Sequence, residues 1–185
     1  MALAASFNEL CTALTALDEA FNQLRVAVHD GPSRGDSVLI DLFGDAADDL
    51  LGWSTGAAGA ARAAQQAASY PLDTEHARWS LVAAQKTFDL IADRLLSDLL
   101  SYERISELTT LGRERRGEWL IWAGGVKSAL DACREPLHNV HQALFLCWQE
   151  ITEHLGTTSV SVQTTNVGQQ ISVPAQGQAK QSEIA

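Results

Sequence analysis

The chain has 185 residues, five of them tryptophan, and a formal charge of −10. That length accommodates one domain with a substantial core plus a tail. The acidic balance, with nine acids against two bases (Arg25 and Arg34) between Met1 and Leu50, repels nucleic-acid phosphate, and the lone basic cluster of Arg113, Arg115 and Arg116 reads as a solvated inter-helix turn, so no nucleic-acid partner is expected.

The first predicted element is a helix from about Ala2 to His29. Phe7, Leu10, Leu14, Leu17, Phe21, Leu24 and Val28 recur in steps of three and four, which keeps one face apolar. The turn-forming cluster Asp30-Gly31-Pro32-Ser33-Arg34-Gly35-Asp36 stops it. A second helix is predicted from about Ser37 to Ser69, with the stripe Leu39, Phe43, Ala46, Leu50, Trp53, Ala57, Ala60, Ala64 and Ala67. Its alanine-rich second half permits close approach of a neighbour, although alanine's helix propensity alone accounts for part of the run. Pro71 ends it.

Asp73 or Thr74 is placed to cap a third helix carrying Leu81, Ala84, Phe88, Ile91, Leu95, Tyr102 and Ile105, reaching Leu111 and stopping at Gly112 or Gly117. The fourth has the longest rhythm: Trp119, Trp122, Val126, Leu130, Cys133, Leu137, Val140, Leu144, Cys147, Ile151 and Leu155. The stripe continues in register across Pro136, which predicts one kinked helix, with Gly156 as its C-cap. The fold expected is therefore all-α: an up-down antiparallel four-helix bundle over residues 1–155 with a kinked last helix, followed by a β-prone, largely unstructured C-terminal tail over 156–185.

Chemistry is sparse along this chain. Cys11, Cys133 and Cys147 lie on apolar stripes and read as buried thiols in a reducing compartment. Cys133 and Cys147 are roughly 21 Å apart along one predicted helix, too far to bridge. Glu135-Pro136-Leu137-His138 has the spacing of one di-iron half-site but no second copy, and His138 with His141 lacks a third zinc ligand. Asp45, Asp48 and Asp49 read as a solvated acidic face. No phosphate loop, Gly-x-Ser-x-Gly or His-Glu-x-x-His occurs. No catalytic residue, cofactor or metal is expected. The N-terminus lacks a signal-peptide pattern, and no run approaches the roughly 18 apolar residues of a membrane span. Trp119 and Trp122 share one side of the fourth helix, with Trp148 near its end; core packing is their ordinary role, and a lipid- or partner-facing belt is the alternative.

The tail differs from the rest. Gly156 to Ala179 contains no Asp, Glu, Lys or Arg. Thr158–Gln163 and Val167–Val173 alternate β-branched with polar residues, and the parity switches across Thr164-Thr165-Asn166, which predicts two short strands joined by a turn or arch. Gln163, Asn166, Gln169 and Gln170 are types that form amide ladders between stacked identical strands. Disorder, cross-β stacking and strand addition to a partner's sheet all fit this composition.

Trp119-Leu120-Ile121-Trp122, Cys147-Trp148-Gln149-Glu150, and in the tail Val160-Ser161-Val162-Gln163 with Asn166-Val167-Gly168-Gln169-Gln170-Ile171 carry a resemblance. A helical bundle followed by such a motif resembles the bacterial Bell-domain proteins, counterparts of fungal HeLo-type cell-death effectors, whose amyloid signalling sequences are compared with the RHIM motif. Val162-Gln163 matches half of a RHIM-like Val-Gln-Val-Gly core, with Thr164 and Thr165 in place of its last two residues.

The resemblance implies a dormant cytoplasmic effector. An NLR-like (STAND) receptor with a matching tail would template this chain's own tail, and the rearranged bundle would engage membrane lipid at the inner face of the cell membrane. The stacking residues would be Val160, Val162, Gln163, Asn166, Val167, Gly168, Gln169, Gln170, Ile171 and Val173; the membrane-engaging ones would be Leu3, Phe7, Leu10, Leu14 and Leu17. Glu9 within that segment departs from the fungal pattern. The competing reading is a structural or adaptor bundle that oligomerises through Trp and Ala faces and uses its tail for strand addition.

Overall fold

A computed structural model describes residues 2–32, 45–69 and 73–170, with only the backbone course given for 2–4, 45 and 156–170. The described chain is helical: α1 (Ala2–His29), α2 (Asp45–Ser69), α3 (Thr74–Arg94), α4 (Tyr102–Arg115), α5 (Glu118–Ala132) and α6 (Arg134–Gln170), with a π-helical turn at Leu95–Leu99. It divides into two compact units, Met1–Ile151 and Thr152–Ala185.

The stripe of α1 forms as its spacing dictates. Phe7, Leu10, Leu14, Leu17, Phe21, Leu24 and Val28 are all buried. In α2 the buried line is Ala47, Leu50, Ser54, Ala57, Ala58, Ala61, Ala64 and Ala68. Of the predicted stripe, Leu50, Ala57 and Ala64 hold, whereas Ala46, Trp53, Ala60 and Ala67 are only half-buried, and Leu39 and Phe43 lie outside the described residues. Alanines draw α2 close to its neighbours α1 and α3. An indole is too bulky for that gap, so Ser54 takes the inward place that simple spacing gave to Trp53.

Asp73 is the cap of α3: its carboxylate accepts from the His76 backbone N–H at 2.9 Å. Ala77, Leu81, Ala84, Phe88 and Ile91 face inward. The expected single third helix is in fact two. Leu100 donates its N–H to Leu95 O at 2.7 Å, closing the π turn, and the extra residue lets the consecutive Leu99 and Leu100 both turn inward. Ser101, in extended conformation, then caps α4 by accepting from the Arg104 N–H at 3.3 Å. Tyr102, predicted to be on the stripe, is exposed.

The α4–α5 turn falls at Arg116 and Gly117, both with positive φ (54° and 55°). Gly112 has another role. A Cβ there would lie 2.9 Å from Ala123 Cβ, so its missing side chain sets how closely α4 and α5 approach. The expected single fourth helix is also two, separated at Cys133. Proline lacks the N–H that would bond Ala132 O, so α5 ends at Ala132, and Pro136 falls in the first turn of α6, where no such bond is required.

Finally, α6 does not stop at Gly156; its backbone remains helical to Gln170. The predicted strand over Thr158–Gln163, and Val167–Gln170 of the second, are thus helical in this structure, because glycine permits a helix end without imposing one. Ile171 and Val173 lie outside the described residues.

Candidate functional site

The residues predicted to engage membrane lie on α1, and a polar seam joins α1 to α6 at Glu150. Phe7, Leu10 and Leu17 are wholly inaccessible and Leu14 nearly so, which makes the four described members of the membrane-engaging set core residues here. Leu3 lies in α1, where only its backbone is described. Outside that stripe α1 exposes Glu9 and Glu19, with Asp18 half-buried.

A polar seam borders this apolar face. Ser6, itself buried, donates to Glu150 Oε1 at 2.6 Å, and Glu150 Oε2 is buried with no hydrogen-bond partner. Cys11 Sγ donates to Gln65 Oε1 on α2 at 3.7 Å, and Gln65 Nε2 donates in turn to Asn8 Oδ1. An open-sided groove of about 450 Å³ runs beside the seam, with Thr12 and Ala16 on one wall and Asn139, Gln142 and Ala143 on the other. Periodicity did not single out these polar residues, yet a signal exists. Ser6 adjoins Phe7, and Glu150 sits between Cys147 and Ile151, so both carry a polar group at the edge of an apolar stripe.

The thiols have no sign of activation. Burial pushes Cys133 up to about 12. Cys147 also rises to about 12, first through burial and then through the carboxylates of Glu150 and Glu9 and the nearby Cys11. Cys11, half-buried, is raised by burial against a lowering pull from Arg62. Neutral thiols of this kind are poor nucleophiles.

Glu135 and His138 are exposed, and among the described residues no three His, Cys, Asp or Glu side chains gather where they could hold a metal ion. Likewise no described helix is long and apolar enough to cross a membrane. The aromatics divide. Trp122 is buried and its indole N–H donates to Ala27 O at 2.9 Å, fixing α5 to the end of α1. Trp119 stacks under the Arg115 guanidinium, 4.3 Å from the ring centre, and meets Trp122 edge-on. Trp79 stands 69% exposed on α3.

Among the stacking candidates, Val160, Val162, Gln163, Asn166, Val167, Gly168, Gln169 and Gln170 lie along α6, where only the backbone is described. The chain matches no protein-family model, and no curated protein or solved structure is significantly similar to it.

Proposed function

We propose that this protein is an interaction-driven effector rather than an enzyme: a helical unit that stores a membrane-active α1, coupled to a charge-free tail that responds to a templating partner. The observation that carries this reading is the burial of the whole apolar face of α1, from Phe7 to Leu24. Each large side chain there is worth about 1.5–3 kcal/mol relative to exposure. Release of α1 therefore requires another apolar medium, and a bilayer is one.

In this reading α3 with α4, and α5 with α6, are two broken rods that complete a four-rod up-down bundle with α1 and α2. Engagement of lipid by α1 is in-plane, since Glu9, Asp18 and Glu19 would each cost about 2.5–3.5 kcal/mol at a bilayer centre. Those same carboxylates favour zwitterionic over anionic lipid. Activation starts when a nucleotide-dependent receptor of the NLR-like (STAND) kind presents a matching motif, converting Val160–Val173 from its resting conformation to stacked strands. The protein rests in the cytoplasm and acts at the inner membrane face.

The test is a synthetic peptide spanning Gly156 to Gln178. Fibrils that bind thioflavin and diffract at about 4.7–4.8 Å are expected; a peptide that stays soluble, alone and with seeds of a partner tail, would sink the templating step. In that event the exposed Trp79 and Tyr102 favour the adaptor reading, a non-catalytic bundle binding partners through its surfaces and its tail.

A further inference from the structure

The backbone of α6 runs unbroken from Arg134 to Gln170, but its two parts have different reasons to be helical. Up to Ile151 the helix is held by packing: Leu137, Val140, Ala143, Leu144, Cys147 and Ile151 are all buried. From Gly156 onward the residue types argue against a helix. Two glycines, four threonines and three valines fall between Gly156 and Gln170, and Gln163, Gln169 and Gln170 are the sole good helix formers there. The stretch also has no charged residue with which to pair successive turns. A segment of this length is a marginal helix in water even when alanine-rich, because starting one carries a penalty of about a thousandfold. Residues 156–170 therefore owe their helix to the turns before them, since extension of an existing helix needs no new start.

We infer that α6 restrains its own C-terminal part. Residues 156–170 rest as an extension seeded by the packed turns, and strand stacking is open only to the fraction of molecules in which that extension has unwound. This restraint presupposes the templating step proposed above and sets its threshold, because a template's apparent affinity is lowered by the unwound fraction. Helices fray from their ends. Val167–Gln170 is thus released before Val160–Gln163, and a template captures the second arm first. Unwinding that reaches Gly156 frees both arms.

The test uses the full chain, with two sets of substitutions outside the stacking residues. Gly156→Pro with Thr158→Pro breaks the helix at the junction; Gly156→Ala with Thr157→Ala and Thr158→Ala favours it about tenfold or more. Amide hydrogen exchange should show protection over 157–170 that declines toward Gln170, is lost in the proline variant and rises in the alanine variant. Seeded with fibrils of the Gly156 to Gln178 peptide, the proline variant should give thioflavin signal after a several-fold shorter lag than the parent chain. The alanine variant should take several-fold longer, and peptides carrying the same substitutions should share one lag. A parent peptide that stays soluble removes the templating step and this restraint with it. Peptide fibrils together with equal lags in the three chains would overturn the restraint alone. Unprotected amides over 157–170 in the parent chain, or variant peptides whose lags shift as the chains' do, would overturn it too.

Discussion

Ser6 on α1 gives its hydroxyl proton to Glu150 on α6 across 2.6 Å of space and 144 positions of chain. A hydrogen bond to a charged acceptor, made at the edge of the core, contributes about 1.5–3 kcal/mol. Ser6→Ala should lower unfolding stability in urea by that amount, because the carboxylate then loses the partner of one oxygen while the other already lacks one. Glu150→Gln should cost less, since it removes the partly buried charge and keeps an acceptor. Equal losses for the two variants would contradict the described contact.

The glycines divide by what surrounds them. Gly52 and Gly59 sit inside α2 with nothing within 4 Å of an added Cβ, so alanine at each should stabilise by about 1 kcal/mol through helix propensity. Gly112→Ala should destabilise, because its methyl would meet Ala123 Cβ at 2.9 Å and main chain at 3.4 Å. Adding Ala123→Gly should recover part of that loss. Urea midpoints of the four variants check all of this.

Stability should fall in alkali. Cys133 and Cys147 are held protonated by the fold, each raised from an ordinary 9.0 to about 12. Below pH 9 neither state ionises and the thiols contribute fully. Between about 9 and 12 the unfolded chain releases protons that the folded chain retains, so stability declines by up to about 1.4 kcal/mol per pH unit per thiol. Cys133→Ala and Cys147→Ala should each flatten that slope, whatever they do to absolute stability.

The burial of Leu10 and Leu14 decides how α1 must be probed. An aspartate at either would place a charge in the core and unfold the unit, so lost membrane activity would say nothing of lipid. Glu9 and Glu19 are exposed, and Glu9→Gln with Glu19→Gln lowers the cost of burying α1 in a bilayer without touching the core. Leakage of zwitterionic vesicles by the assembled protein should rise several-fold at unchanged thermal stability; unaltered leakage would count against α1 as the membrane-active element.

Periodicity made α1 legible because each step of its stripe carries a large side chain, and size leaves little doubt about which way a residue points. In α2 the alanines provide a weak signal: Ala60 and Ala61 are equally plausible by composition, and only packing against α1 and α3 selects the second. The break before Ser101 was marked faintly, by a capping serine with Glu103 in the following turn, but a continuous leucine-rich run hid it. Pro136 was visible; its consequence was not, since register carries across a one-residue break as smoothly as across a kink.

The extra residue of the Leu95–Leu99 turn separates the chain into two independently phased stretches, one counted from Asp73 and the other from Ser101. An insertion or deletion inside α3 or α4 would rotate every later side chain of that helix by about 100°. Within the turn itself, removal of one residue returns the wide loop to ordinary α geometry and keeps both flanking helices helical, but it takes one of the consecutive leucines, Leu99 or Leu100, out of the core and turns α4 against the Trp122–Ala27 anchor of α5. Single-codon shortening at 95–99 should therefore cost about as much as one buried leucine, with urea unfolding as the check.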